Sequence, residues 1–344
     1  MEVTRGEHVE SRHRGELAVA APDGSVIAKV GNPDEFIFLR SSAKPFQLAP
    51  FVASGRFDEY GLGTEALAIM AASHAGEDRH VRTVQEILRR AGLTSAVLQN
   101  QVHPPYDVET AHRLIRDGEK PTVLRGNCSG KHAGMVLFAK ASGWPIDSYW
   151  DPDHPIQRLA LETVSALSDV PIEEIAIATD GCGIPSFGMP VRGLAVAFAR
   201  LADPSAVPDR PLSDALRRIR DAMMAHPELV GGERRRLDTE LMRAFPKRLV
   251  SKGGAEGVLA LALPPGVLAA GSPFGDGPMG AAGKIEDGNW ARRGTEVVSI
   301  EVLRQLGLMT DGRLPAALTD YASPPIDDPR GEPSGEVRPA FRLG

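Results

Sequence analysis

The chain has 344 residues, of which 42% are hydrophobic and 24% are charged, and its formal net charge is −6. Charges of both signs are interspersed, which argues against nucleic-acid binding because that function needs a clustered basic surface. No stretch approaches the roughly 20 apolar residues of a membrane span, and the charged N-terminus does not resemble a secretory signal. We therefore expect a cytoplasmic protein with neither a nucleic-acid nor a membrane partner.

Two features of the composition are the small number of cysteines and a short run of basic residues. The two cysteines, Cys128 and Cys182, are not expected to form a disulfide, because nothing indicates an oxidising compartment. The densest basic run, ERRR at residues 233–236, is interpreted as the solvated start of a helix.

Residues 15–40 predict strands. LAVAA and VIAKV flank a turn that contains Asp23 and Gly24, a pattern typical of a β-hairpin. The apolar run FIFL follows and predicts a further strand.

The middle of the chain is predominantly helical. In DRHVRTVQEILRRAG, apolar residues recur with helical spacing and Gly92 ends the pattern. EEIAIATD, at residues 173–180, predicts a buried strand. The helices predicted before that strand are 44–54, 65–72, 78–91, 108–117, 131–142 and 155–168; those after it are 191–202, 212–226 and 235–245.

Strand character returns near the C-terminal end in RLVSKGG, GVLALAL, GVLAAG and AAGKIEDG, and a helix is predicted at 295–306. N-terminal and C-terminal strands that share one sheet, with helices packed around it, predict an α/β fold with a large helical lobe. We predict one composite catalytic domain over residues 1–308, with sheet strands from 15–40 and 248–285. Residues 309–344 are predicted to be a Pro/Gly-rich extension that ends in a possible strand, GEVRP.

Ser41 and Lys44 in RSSAKPFQ show the S-x-x-K spacing of serine acyl enzymes. Residues three apart share a helix face, and Pro45 is tolerated in a first helical turn. A lysine whose charge is suppressed can accept the serine proton. The alternative is a capping serine followed by an exposed lysine.

Two further motifs carry a hydroxyl and an amine. MAASHAGED places Ser73 on a small-residue turn, either as a second reactive hydroxyl or as a helix cap. VSKGGAEGV places Lys252 between a strand and a Gly-Gly turn, which resembles the lysine strand of serine acyl-transfer enzymes; the alternative is an edge lysine before a hairpin turn.

Each cysteine lies in a glycine-rich turn, Cys128 in RGNCSGKHAGM and Cys182 in ATDGCGIPSFG. Two converging thiolates can hold zinc, with His132 or Lys131 as a third ligand. The alternative is a pair of buried thiols.

Five stretches together, RSSAKPFQ, ASHAGE, GNCSGKHAGM, TDGCGIPSF and SKGGAEG, resemble the Rhizobium-type, inducible class 3 L-asparaginases of the asparaginase II family. The resemblance covers roughly residues 35–260 and implies a serine-β-lactamase-like fold with an antiparallel-rich central sheet. Ala75 departs from the pattern, since many relatives have serine there, and we expect this small replacement to be neutral.

The resemblance implies hydrolysis of L-asparagine to L-aspartate and ammonia through two serine–lysine tandems. These are Ser41 with Lys44, where Ser41 is the expected nucleophile and Lys44 its neutral base, and Ser73 with Lys252. Ser73 is the alternative nucleophile.

The resemblance also implies a zinc site built from Cys128, Lys131 and Cys182, and a homodimer. Arg40, His132 and Asp180 fall on positions associated with the substrate pocket. Asp180 is expected to hold the substrate α-ammonium, and Arg40 its α-carboxylate or the active-site turn.

Two alternatives to an asparaginase stay open. Another serine acyl hydrolase, β-lactamase-like or peptidase-like, shares the serine–lysine pair but does not require both cysteines. A non-catalytic amino-acid-binding relative keeps the pocket without turnover.

Overall fold

The computed structural model describes residues 1–288, 294–309 and 313–344. The chain divides into two units. Unit 1 comprises Met1–Ile37, Met189–Asp203 and Glu240–Gly344. Unit 2 comprises Phe38–Gly188 and Pro204–Thr239. The predicted single composite domain stays a prediction.

Unit 1 contains a five-stranded antiparallel sheet of order β4-β3-β10-β9-β8. The predicted hairpin forms its β3–β4 edge, and β3 pairs with β10, so strands from both ends of the chain share one sheet as predicted. The α/β class with an antiparallel sheet is thereby confirmed. The strands are β3 Gly15–Ala20, β4 Val26–Val30, β8 Val250–Ser251, β9 Val258–Leu263 and β10 Met279–Ile285.

Helix α7, Val191–Ala202, covers this sheet with an alanine-rich and almost wholly buried surface. All six residues of β9 are buried as well, which explains its continuous apolar sequence. The strand predicted from GVLAAG was wrong, because residues 266–271 form turns. Gly266 and Gly271 have φ of 74° and 85°, values that a strand cannot contain.

A second sheet of unit 1 has the order β11-β12-β1-β2. It brings the two chain ends together, and the sequence GEVRP lies largely within β12. Its buried side packs Met1, Val3 and Val337 against Val297 of α11. The elements are β1 Glu2–Arg5, β2 His8–Arg12, β11 Pro325–Asp327, β12 Pro333–Arg338, α11 Thr295–Leu306 and α12 Thr319–Ala322.

Unit 2 is mainly helical, as predicted for the helical middle of the chain. Helix α1 packs against α5, α6 and α8, and the first eleven residues of α5 are all buried, which places it at the centre. The helices are α1 Lys44–Ala53, α2 Thr64–Met70, α3 Asp78–Arg90, α4 Val108–Arg116, α5 Ser129–Ser142, α6 Pro155–Ser168, α8 Arg210–Ala225 and α9 Pro227–Val230, and α10 Leu237–Ala244 follows at the unit boundary.

The strand predicted as buried over 173–180 is β6, Ala176–Thr179, and that part of the prediction was wrong. All four of its residues are exposed because it is the edge strand of the order β5-β7-β6. The buried strand is its neighbour β7, Pro185–Pro190, while β5 spans Phe36–Phe38. Within the described residues, no helix has the length and apolar character to cross a membrane.

Candidate active site

The turn after β5 carries the first predicted motif. Arg40–Ala43 forms a 3-10 turn that runs into α1, with Pro45 in the first turn of that helix. Arg40 has φ of 50°, in the left-handed region that non-glycine residues seldom adopt. Its Nε donates to Asp180 Oδ1 at 2.8 Å. A strained residue held by an ion pair is typical of a functional site.

The Lys44 amine lies at the centre of the candidate site. Lys44 is 1% exposed, and its Nζ lies 2.6 Å from the carbonyl oxygen of Ala72, 2.8 Å from Ser73 Oγ and 3.2 Å from Cys128 Sγ. The serine hydroxyl within hydrogen-bond distance of Lys44 is that of Ser73, and the predicted pair of Ser41 with Lys44 stays a prediction. The Ser41 hydroxyl, which is partly exposed, makes no hydrogen bond within the described residues.

Burial lowers the pKa of the Lys44 amine. The Cys128 sulfur opposes this shift, whereas the neighbouring Lys131 ammonium adds to it. A lysine with a lowered pKa is neutral more often and can accept a proton from a hydroxyl. The predicted role of Lys44 as a base therefore has a physical cause in its surroundings.

Ser73 is fixed by backbone hydrogen bonds on both sides. Its N–H donates to the carbonyl of Val230 at 3.1 Å, and its carbonyl accepts from Arg236 Nη2 at 2.8 Å. Gly76, three residues later, has φ of 77° and a Cβ there would meet the Arg125 carbonyl at 2.6 Å. The turn that presents Ser73 thus requires glycine at position 76.

Both cysteines are buried and free. A hydrogen bond with Cys182, together with the charges of Lys44 and Lys131, lowers the pKa of Cys128 well below its usual value. The same hydrogen bond, with burial, raises the pKa of Cys182. The pair therefore favours a thiolate on Cys128 that accepts from the Cys182 thiol.

The residues that can hold a metal here are the two cysteines and Lys131. Lys131 Nζ donates to Cys182 Sγ at 3.0 Å. Burial lowers the pKa of Lys131, but the two sulfurs outweigh it and raise the pKa. Within the described residues, no cluster of three His, Cys, Asp or Glu side chains is arranged to hold a metal. The two sulfurs are donors that suit zinc, whereas the Lys131 nitrogen must lose a proton before it can bind a metal.

His132 is wholly buried beside this set. Its Nδ1 lies 2.7 Å from the hydroxyl of Tyr149, which also accepts from the N–H of Gln99. The tyrosine proton therefore points to Nδ1, and Nε2 carries the ring proton. Nε2 faces Cys182 without a well-aligned hydrogen bond to any described residue. Burial lowers the pKa of His132 to about 4.

Asp180 is the negative group of the site. Burial opposes its ionisation, yet the charges of Lys131 and Arg40 and the N–H of Gly181 keep its pKa below the usual value. Asp180 is therefore ionised, and its carboxylate accepts hydrogen bonds from Arg40 and from the N–H of Gly181.

Lys252 belongs to unit 1, and the other predicted site residues belong to unit 2. Lys252 follows β8, is 0% exposed, and donates from Nζ to the carbonyl of Gly253 at 2.8 Å. Its predicted tandem with Ser73 stays a prediction.

The sequence did not predict that Arg236 and Tyr106 lie near Ser73. The run 233–236 directly precedes α10, which begins at Leu237. Arg234 and Arg235 are exposed as predicted, but Arg236 donates to the Ser73 carbonyl. Arg234 pairs with Asp107 at 2.6 Å. The Arg236 guanidinium lies over the Tyr106 ring, with its central carbon 5.8 Å from the ring centroid. A conspicuous cluster of three arginines in a chain with few basic runs was the available signal.

Several solved structures are similar to this chain, at low identity. A crystal structure of Mglu in the presence of 4.3 M NaCl is 16% identical with a TM-score of 0.37, over 86% of this chain and 62% of Mglu. A Bacillus glutaminase structure is 12% identical with a TM-score of 0.36, over 80% of this chain and 84% of the other. A Bacillus subtilis probable glutaminase is 11% identical with a TM-score of 0.36, over 79% and 80%.

This chain thus spans less than two thirds of Mglu. No curated protein matches it. The family model described as L-asparaginase II matches residues 1–339, which is nearly the whole chain. The chain therefore belongs to the L-asparaginase II family.

Proposed function

We propose that this protein hydrolyses the side-chain amide of L-asparagine, giving L-aspartate and ammonia through a serine acyl-enzyme. The observation that carries the proposal is the Lys44 amine, buried and 2.8 Å from Ser73 Oγ. An amine whose pKa is lowered, within hydrogen-bond reach of a hydroxyl, is what an activated serine needs. Family membership supports the amide as substrate.

The proposed reaction has two halves. In the first, the serine Oγ forms a bond to the side-chain carbonyl carbon while its proton passes to Lys44 Nζ. The C–N bond then breaks, and ammonia leaves with the proton that Lys44 returns. In the second, water attacks the acyl ester, Lys44 takes the water proton, and aspartate leaves as the serine recovers its hydrogen.

Two serines are candidates for the nucleophile. The observed hydrogen bond to Lys44 supports Ser73. The S-x-x-K spacing and the family resemblance support Ser41, whose hydroxyl is not engaged by any described residue. Substitution of each serine by alanine separates the two, because only the nucleophile is indispensable for a covalent adduct.

The charged ends of an amino-acid amide need partners of opposite sign. Asp180 is the proposed partner of the substrate α-ammonium. Arg40 donates its Nε to Asp180, which supports the second of its two predicted roles, orientation of the active-site turn. His132 is proposed to line the pocket beside Cys182.

We propose that Cys128, Lys131 and Cys182 hold a zinc ion. Bound zinc would supply a fixed positive charge that organises the pocket, and the thiolate favoured at Cys128 is the form that a metal requires. Zinc analysis of protein purified without chelator should find about one ion per chain. A Cys182→Ser protein with the same zinc content would remove this assignment.

Ammonia release from asparagine, glutamine and related amides tests the function, with a chromogenic β-lactam as the rival substrate. We expect turnover of asparagine and none of the β-lactam. Glutamine differs by one methylene, which is worth about 1–3 kcal/mol of discrimination. Exclusive β-lactam turnover would favour the rival acyl hydrolase. The homodimer and the cytoplasmic location stay predictions.

A further inference from the structure

The ring of Tyr106 contacts two side chains, His103 and Arg236, although it lies at the surface. It is 45% exposed. The His103 ring stacks on it at 4.7 Å with an interplanar angle of 22°, and the guanidinium of Arg236 lies 5.8 Å from its centroid. These two contacts orient an aromatic ring that is otherwise open to solvent.

Of the two residues that contact the ring, Arg236 bonds a residue of the candidate site directly and His103 bonds Asn127, the neighbour of Cys128 in the chain. Arg236 donates to the carbonyl of Ser73 at 2.8 Å. His103 Nε2 accepts from the N–H of Asn127 at 3.1 Å, and Asn127 Oδ1 lies 3.4 Å from Cys128 Sγ. Tyr106 is therefore placed between contacts to Ser73 on one side and to Cys128 on the other.

The backbone beside Tyr106 is anchored as firmly as the ring. The N–H of Asp107 donates to the carbonyl of Ala75 at 3.1 Å, in the same turn as Ser73. The Asp107 carboxylate caps α4 by accepting from the N–H of Thr110 and pairs with Arg234 at 2.6 Å. Asp107 thus ties the position of Tyr106 to the Ser73 turn.

The Tyr106 hydroxyl is not used by the fold. It makes no hydrogen bond to any residue in the described ranges, whereas the hydroxyl of Tyr60 donates to the carbonyl of Leu137 and that of Tyr149 bonds His132. A phenol whose ring is oriented by two neighbours and whose hydroxyl has no partner in the described ranges is well placed to bind a ligand.

We propose that the Tyr106 hydroxyl donates a hydrogen bond to the α-carboxylate of the substrate, with the Arg236 charge reinforcing this contact. The inference rests on the proposed amidohydrolase function and adds a specificity-determining residue to it. A phenol O–H bonds an anionic oxygen more strongly than a neutral one. Arg40, the residue expected at the carboxylate, is already engaged by Asp180.

Tyr106→Phe keeps the ring between His103 and Arg236 and removes the hydroxyl alone. Because a hydrogen bond to a charged group contributes about 1.5–3 kcal/mol, we expect KM for asparagine to rise about 10- to 100-fold while kcat stays within about twofold. Tyr60→Phe is the matched control, since its hydroxyl lies outside the site, and its KM should not change.

Two asparagine analogues show which end of the substrate is bound. Succinamate keeps the α-carboxylate and lacks the ammonium, whereas 3-aminopropanamide keeps the ammonium and lacks the carboxylate. Tyr106→Phe should raise the inhibition constant of succinamate by the factor found for KM and leave that of 3-aminopropanamide unchanged. Equal effects on both analogues, or a larger effect on 3-aminopropanamide, would overturn the assignment.

The outcomes for the inference and for the function are distinct. A wild-type protein that releases ammonia from no amide refutes the proposed function. An active wild type whose Tyr106→Phe variant keeps the same KM refutes the role of Tyr106 alone.

Discussion

Lys44 is the residue on which the proposed chemistry depends. Its amine is buried within hydrogen-bond distance of Ser73, Cys128 and the carbonyl of Ala72. Lys44→Met removes the base, so we expect kcat for ammonia release to fall about 10²- to 10⁴-fold. The control is Lys140→Met, because Lys140 bonds only the carbonyl of Ala91 among the described residues. Unaltered turnover in Lys44→Met would exclude Lys44 as the base.

His80 provides a pH prediction away from the candidate metal ligands. Its Nδ1 accepts from the N–H of Glu77 and its Nε2 donates to the carbonyl of Glu228, which fixes a neutral ring. Burial lowers its pKa from 6.5 to about 4. The unfolded chain therefore binds the proton first, so this stability is present above about pH 6.5 and is lost as pH falls towards 4.

The full loss corresponds to about 3 kcal/mol. Urea unfolding at pH 7 and pH 5 should show a weaker pH dependence in His80→Gln than in wild type. Replacement of the exposed His112 by Gln serves as the control and should preserve the wild-type slope. If the unfolding free energy of His80→Gln depends on pH as strongly as that of the wild type, the neutral His80 ring does not contribute to the pH dependence of stability.

At the scale of residues, the motifs could be predicted because glycine-rich turns and paired hydroxyl and amine groups are visible in the sequence. The partner of Lys44 could not, since Ser73 reaches it from a turn 29 positions away along the chain. The same limit applies to Arg236, whose contact with Ser73 spans 163 positions. Local spacing predicts neighbours on one helix and says nothing about pairings of this kind.

At the scale of elements, helices whose start is marked by a proline were predicted best. The predicted ranges 155–168 and 191–202 coincide with α6 and α7, where proline precedes or opens the helix. Strands β1 and β2 were missed because they have only four and five residues, most of them polar or charged. The strand predicted from GVLAAG failed because two glycines turn the chain there.

The exposure of β6 has a consequence for stability. Ile177 of β6 lies opposite Phe187 of β7, yet Ile177 is 48% exposed and Phe187 is buried. Ile177→Thr should change the free energy of unfolding by less than about 0.5 kcal/mol. Phe187→Ala should cost about 3–5 kcal/mol. Urea unfolding measures both, and similar costs would mean that β6 is covered in solution.

At the scale of the whole molecule, the two ends of the chain contribute to the same sheets. The Pro/Gly-rich extension was predicted to end in a possible strand. In the sheet of order β11-β12-β1-β2, the strand β12 pairs with β1 from the other end of the chain. Residues of β1 and β12 form one buried cluster with Val297. No local pattern predicts this arrangement, because β1 and β12 lie at opposite ends of the chain.

Val337 tests whether the extension stabilises the fold. It is buried in the cluster with Met1 and Val3, so Val337→Ala should lower the free energy of unfolding by about 2 kcal/mol. Val26→Ala, at an exposed position of β4, should cost much less. Equal stability of the two variants in thermal or urea unfolding would indicate that the extension does not hold the first strands.

The central claim is a covalent serine intermediate formed with Lys44 as the base. Peptide mass spectrometry after incubation with an asparagine analogue that carries a diazoketone in place of the amide tests it directly. We predict one adduct, on the peptide that contains Ser41 or the peptide that contains Ser73, and its loss in Lys44→Met. Steady turnover of asparagine with no adduct on either serine, or an adduct confined to a cysteine, would contradict the claim.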